Sequence, residues 1–335
     1  VELDNRTPWS AQVFTGGVAA GAVPLSAIIK ARQGLPSGVS VRGLLVVKAT
    51  LQFEKGQWQP AAEQLPIWEL DEEGPPFFEK DIMFQKGGVD LVVLGSARAP
   101  ADPVTHMEVS VRLGDWSRIL AVFGDRIWAR QWNRFVASAP KPFKEMPIIW
   151  ENAYGGTTLD HEGTAAPSPF NAVGKGYTLP NPKSQVEGVA LPNIEDPGHL
   201  IVSIDDRPDP VGFGFLPFTN GLRLRAGLKP HPSGLPEILP RVHNAAHPDL
   251  VLPGYPAGSK IEVSGMTAPT PWRATLPAFP ARAALRGPTD ETALPLEPDT
   301  VCLMVDQQRL YVTAKGRFDY DLANPPDLTA VVHPS

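Results

Sequence analysis

Residues 107–123 read MEVSVRLGDWSRILAVF, and this stretch decides the fold class. Met107, Val109, Val111 and Leu113 face one way and Glu108, Ser110 and Arg112 the other, the period of two expected of a half-buried strand. Gly114-Asp115 then opens a hairpin into Arg118 to Phe123, which makes the sheet antiparallel. Working outward, Leu45, Val47, Ala49, Leu51 and Phe53 alternate with Lys48, Thr50 and Gln52, which predicts another half-buried strand. Glu54-Lys55-Gly56 turns it into a strand around Trp58. Asp90 to Leu94 is a short apolar run ending at Gly95, as an interior strand would be. Val301 to Val305 and Leu310 to Thr313 flank Asp306-Gln307-Gln308 as a further hairpin continuing towards Arg317 to Tyr320, with a strand from Lys260 to Val263 before it. Only Phe279 to Leu285 reads as a short helix, with Pro280 suited to an early position and Gly287 to the end.

Composition agrees. Among 335 residues, 38 prolines and 30 glycines oppose long helices and favour short strands joined by shaped turns. An apolar content of 42% can build a real core. The expected fold is mainly β, antiparallel sheets in two sandwich-like lobes with long Gly/Pro-rich loops and little helix. Ala139-Pro140-Lys141-Pro142 marks the expected boundary between an N-terminal antiparallel β lobe (1–139) and a loop-rich second β lobe (140–335). A formal charge of −6 offers no footprint for a nucleic-acid backbone. No apolar run is long enough to predict a membrane span, and VELDNRTPW lacks the features of a signal peptide. One cysteine, Cys302, excludes an internal disulfide and reads as a small buried hydrophobe, so a cytoplasmic protein is expected.

The second lobe carries WENAYGG, NAVGKGY, LPNIE and DPVGFG between Trp150 and Gly214, with little regular periodicity between them. Such a region of Gly, Pro and Asn is a sculpted loop surface, and it spells no reaction. His243 and His247 have helical spacing, but Pro248 disfavours helix there and no third ligand completes a zinc set. Glu151, Glu195, Asp205, Asp206 and Asp209 could supply the two carboxylates of a glycoside hydrolase if folding set them at the required separation. The glycine-rich pieces lack a dinucleotide fingerprint, and no G-x-S-x-G elbow exists. No catalytic, metal or cofactor residue is therefore assigned. Trp150, Glu151, Asn152, Tyr154, Gly155, Gly156, Asn193, Gly212, Phe213, Gly214 and Asn244 are expected to be structural or partner-facing. Of these, Trp150, Tyr154, Gly155 and Gly156 read as a folded corner, and Asn193 and Asn244 as amides that staple loops. Gly212 to Phe215 reads as a strand whose glycines admit a close neighbour.

Further motifs are VVKATLQF, PAAEQLPI, KDIMFQKGGVDLVVLGSARAP and VSVRLGDWSRILAVFGDRIW in the first part, and IWENAYGG, NAVGKGY, LPNIE, RPDPVGFG and VHNAAHPDL in the second. In these, almost end to end, the chain resembles a bacterial family encoded beside type VI secretion effectors. It departs from that pattern after Gly214, where it reads FLPFTNGLRLRAGLKPHPSG, and again at Asp249-Leu250. The resemblance implies a non-catalytic adaptor or chaperone that binds an effector protein and helps load it on the spike tip protein of the type VI apparatus. Two other readings are a carbohydrate-active enzyme using the loop carboxylates and a structural component of a phage-like assembly.

Overall fold

The alternation along 107–123 becomes the hairpin His106–Leu113 and Trp116–Phe123, paired from His106 opposite Phe123 to Leu113 opposite Trp116. Gly114 makes the turn with φ +58°, a left-handed angle that glycine takes without a Cβ penalty. The computed structural model describes residues 1–18, 40–72, 77–160, 162–179, 186–321 and 329–335. The hairpin lies inside a five-stranded sheet ordered Ile194–Glu195, Trp116–Phe123, His106–Leu113, Lys260–Ser264, Trp272–Thr275. A seven-stranded sheet runs Val251–Leu252, Val89–Leu94, Glu297–Met304, Arg309–Asp321, Ser40–Glu54, Ser10–Val18, with Gln57–Pro60 also paired to Ser40–Glu54. A third sheet orders Glu2–Asn5, Thr329–Pro334, Ala281–Arg286 and Glu291–Leu294.

The protein is mainly β, with one refinement of the antiparallel expectation. Val89–Leu94 runs parallel to Glu297–Met304, and Glu2–Asn5 parallel to Thr329–Pro334. Both larger sheets draw strands from either side of Ala139-Pro140, so that junction separates strand-rich from loop-rich sequence without separating sheets. Side chains of all three sheets, including Leu45, Leu91, Val111, Val263, Val301 and Ala283, share one continuous core. Two smaller clusters sit under the loops.

The expected helix at Phe279 to Leu285 is a strand. Ala281–Arg286 pairs on one side with Thr329–Pro334 and on the other with Glu291–Leu294, and two ladders of hydrogen bonds outweigh the helical preference of ARAALR. The one α-helix described is Gly221–Gly227, where the Asn220 side chain caps the first turn by accepting the Leu222 N–H at 2.9 Å.

Ser40–Glu54 corrects a second expectation. Leu45, Val47, Ala49 and Leu51 face the main core, but Lys48 and Thr50 on the opposite face are wholly buried, not half-exposed. Register explains the chemistry: Asp90 pairs with Thr300, Thr300 with Thr313, and Thr313 with Lys48, so one polar row crosses four strands. Gln64, Leu65, Pro66, Asp81 and Lys86 cover it. Gln64 bonds the N–H and C=O of Thr50, each at 2.8 Å, at the place where the neighbouring edge strand changes from Ser10–Val18 to Gln57–Pro60. Asp81 pairs with Lys48 and accepts from Thr313 Oγ1 at 3.1 Å. Lys86 Nζ reaches Asp90 at 2.7 Å, Thr300 at 2.9 Å and Glu79 at 3.1 Å. Arg223 joins Glu79 at 2.7 Å, and Lys315 joins Asp299 at 2.6 Å.

The result is a buried layer in which each ion has an opposite partner, the condition under which such burial is tolerated. Burial opposes the charge on Lys86, yet Asp90, Glu79 and Asp299 outweigh it and raise its pKa. Burial likewise opposes ionisation of Asp90, but Lys86 and the N–H groups of Ala245 and Ala246 hold its carboxyl below the ordinary range. For Lys48 and Lys315 burial wins and lowers the pKa despite Asp81 and Asp299. Cys302 is fully buried in the same sheet, and burial pushes its thiol up to about 12, which removes thiolate character at neutral pH.

Candidate functional site

The loop motifs converge on two polar side chains, the buried Asn171 and the half-buried Lys175. Trp150–Asn152 makes a single 3₁₀ turn between extended residues Ile149 and Ala153. The Asn171 amide donates to the carbonyls of Trp150 at 2.8 Å and Tyr154 at 3.1 Å, closing the corner from behind. Gly155 and Gly156 have φ +148° and +93°, and a Cβ on either would collide with the backbone of Asn171 or Gly174. Here glycine is required both by angle and by space. Tyr154 pairs in parallel with Lys175, which brings WENAYGG beside NAVGKGY.

Lys175 then joins three motifs. Its ammonium donates to Asn152 Oδ1 at 2.9 Å and to Asn193 Oδ1 at 2.7 Å. Burial lowers its pKa, against the attraction of Asp125. Asn193 donates in turn to the Phe123 carbonyl at 3.0 Å and to Asp125 Oδ1 at 3.2 Å, anchoring LPNIE to the end of the five-stranded sheet. Asn244 performs a parallel task elsewhere: it accepts from Gly87 N–H at 2.8 Å and donates to Gly88 O and Asp90 Oδ1, both at 3.0 Å. Asn244 thus staples its loop through long-range bonds to the start of the core strand Val89–Leu94. Asn171 and Lys175 escape a reading of the sequence because nothing in NAVGKGY shows which of its polar side chains points inward.

Trp150 is 6% exposed and forms a wall. Its ring lies against Gly212, where an added Cβ would stand 3.2 Å away, and stacks with His247 at 6.4 Å between centroids. Gly212 and Gly214 do admit a close neighbour, but Val211 to Phe215 forms no strand ladder. Phe213 is buried in the main core, and its carbonyl accepts from Val93 N–H at 2.9 Å. The indole N–H of Trp150 has no acceptor among the described residues.

Of the carboxylates considered for glycan hydrolysis, Glu195, Asp206 and Asp209 are held by structural partners. Glu195 pairs with Arg126 and accepts from Ile201 N–H at 2.7 Å. Asp206 accepts from the N–H groups of Val202 and Ser203, each at 2.8 Å. Asp209 pairs with Arg225 at 2.5 Å, and Asp205 is exposed. Among the described residues no group of three or more His, Cys, Asp or Glu could hold a metal ion, and no helix is long and apolar enough to cross a membrane.

Beside the corner opens a groove of about 560 Å³. Ile148, Ile149, Trp150 and Glu151 line one side, Pro169 to Val173 another, and Phe215 with Pro217 to Asn220 a third. Val173 is 57% and Phe218 41% exposed, so large apolar side chains line it while facing water. Of the expected site residues, Trp150, Glu151 and Gly214 line this groove, Glu151 alone among them carrying a charge. The stretch after Gly214 supplies Phe215 and Pro217 to Asn220, and hence one whole wall.

No curated protein and no solved structure matches the chain. A family model described as an uncharacterized protein conserved in bacteria, DUF2169, matches residues 39–315. The span takes in the five-stranded sheet, the seven-stranded sheet apart from Ser10–Val18 and the end of Arg309–Asp321, the buried ionic layer, the loop corner and the groove, and the chain belongs to this bacterial family.

Proposed function

We propose that the chain is a non-catalytic adaptor that holds a secreted effector protein in the bacterial cytoplasm and helps load it on the spike tip protein of a type VI apparatus. The observation that carries this reading is the way the motif residues are used. Trp150, Asn152, Tyr154, Gly155, Gly156, Asn193, Gly212, Phe213 and Asn244 are consumed in packing and internal hydrogen bonds, and the surface they shape is an open apolar groove. Apolar surface rimmed by polar groups fits a protein partner. The resemblance of the motifs to the type VI accessory family names the kind of partner. A carbohydrate-active enzyme is less well supported, because Glu195, Asp206 and Asp209 already serve the fold.

The test is co-purification with the effector encoded beside this gene, together with secretion of that effector from a strain lacking the gene. The proposal expects a stable complex and lost secretion. An effector that is stable and exported normally without this chain would end the reading. Purified chain that assembles with itself into large particles without effector would favour the structural-component reading instead.

A further inference from the structure

The groove has an electrostatic character that its apolar lining alone does not show. Its lining includes two carboxylates, Asp71 and Glu151, and among the described residues no Lys, Arg or His. Asp71 accepts from the backbone N–H of Lys80 at 3.0 Å, which uses one oxygen and no positive charge. Glu151 stands half-buried in the first turn of WENAYGG, and no cation is paired with it among the described residues. Cations of the neighbouring elements are paired with other groups: Lys175 donates to Asn152 and Asn193, while Arg223 and Arg225, whose guanidiniums lie 5.2 Å from the Phe218 ring centre and 4.7 Å from that of Phe170, are neutralised by Glu79 and Asp209. A negative rim around an apolar floor favours a segment that is apolar and carries positive charge.

We propose that the groove binds an apolar segment of the partner protein that carries Lys or Arg, its apolar side chains packing on Val173, Phe218, Ile149 and Phe170 and its cation meeting Glu151. This rests on the adaptor reading for the partner's identity, but not for the chemistry of the groove. The volume of about 560 Å³ accommodates a few side chains and not a folded domain, so the ligand is a segment. The acidic rim would raise the association rate and select against acidic segments, and the apolar floor would supply the affinity.

The experiment measures binding of the full chain to fluorescent peptides of about 15 residues, about 50 Å long when extended, in which leucine alternates with lysine or with glutamate so that one face is apolar and the other charged. The lysine peptide should bind at least tenfold more tightly than its glutamate counterpart. Val173→Asp should remove that binding, and Glu151→Lys should reverse the charge preference. Both positions are partly exposed and outside the main core, so melting temperatures should stay near wild type. Equal binding of both peptides, or variants that bind as wild type does, would overturn the proposal. The effector complex is assayed separately with the same variants. If the effector binds wild type and Val173→Asp equally well, the groove assignment fails while the adaptor reading stands. If the lysine peptide binds as expected but the effector does not, the groove assignment stands and the adaptor reading fails.

Discussion

At the residue scale, the motif side chains act as staples whose removal leaves partners stranded. Asn193 accepts from Lys175 and donates to Phe123 O and Asp125, so Asn193→Ala would strip the Lys175 ammonium of one of its two side-chain acceptors and the Phe123 carbonyl and Asp125 of a donor in a partly buried place. The expected cost is about 2–3 kcal/mol, the range for losing hydrogen bonds to a charged group, read as a shift in the urea midpoint. A variant that unfolds with the wild type would contradict the staple. The two histidines of VHNAAHPDL set a pH dependence. Burial lowers the pKa of His243, with Arg223 adding to it, and burial lowers that of His247 against the attraction of Asp249. The unfolded chain takes up protons below about pH 6.5 that the folded chain refuses. Stability held above that pH is therefore lost as pH falls through it. Urea titrations from about pH 7 down to 5 should show the loss, and a His243→Gln/His247→Asn double variant should flatten it. An unchanged slope in the double variant would assign the loss to the carboxylates instead. Residue identity made the corner at Trp150 to Gly156 legible, because only glycine suits those angles. It did not reveal Asn171 or Lys175, whose importance comes from where the chain returns.

At the element scale, the polar row Asp90, Thr300, Thr313 and Lys48 pins the register of four strands. Slipping one strand by a single residue would turn its row member into the apolar core, at a cost no other contact offsets. Removing half of an ion pair should hurt more than removing the pair. Lys315→Met alone should cost about 3–5 kcal/mol because Asp299 is left buried and charged, whereas adding Asp299→Leu should recover most of it. Denaturant titration of the two variants decides this, and a double variant no better than the single would count against it. The hairpin Trp128–Gln131 and Arg134–Ala137 carries a different kind of anomaly. Trp132 at its turn has φ +59° and is 91% exposed, so it makes little contribution to the core and bears a left-handed angle unfavourable to a bulky side chain. Trp132→Gly should leave the melting temperature unchanged or raise stability by up to about 1 kcal/mol. A clear loss on calorimetry would mean that the ring packs in a way its exposure denies. Hairpins were the most legible elements, since alternation and turn residues are local signals. The strand Ala281–Arg286 was not, because ARAALR between Pro280 and Gly287 has local helical character and only its two neighbours make it a strand. The polar face of Ser40–Glu54 was misleading for a related reason: Lys48 and Thr50 look solvated until the covering segment is known.

At the scale of the whole molecule, strands far apart in sequence share sheets around one continuous core, and three loop segments meet at one groove. The sequence carried the fold class through its periods and its turn residues, and it carried the site only as far as the motifs. The groove itself, walled partly by the stretch after Gly214, depends on three loops meeting and has no local signature. On the proposed reading the DUF2169 framework has a task of holding, with the motif residues inside and the contact surface at Glu151, Val173 and Phe218. The most direct test is hydrogen exchange of the full chain with and without the effector encoded beside its gene. Slowed exchange is expected at Trp150 and Glu151, at Phe170 to Val173 and at Thr219 and Asn220, with the sheets unchanged. Exchange that is unaltered everywhere, or protection confined to surfaces away from the groove, would contradict a holding role for this surface.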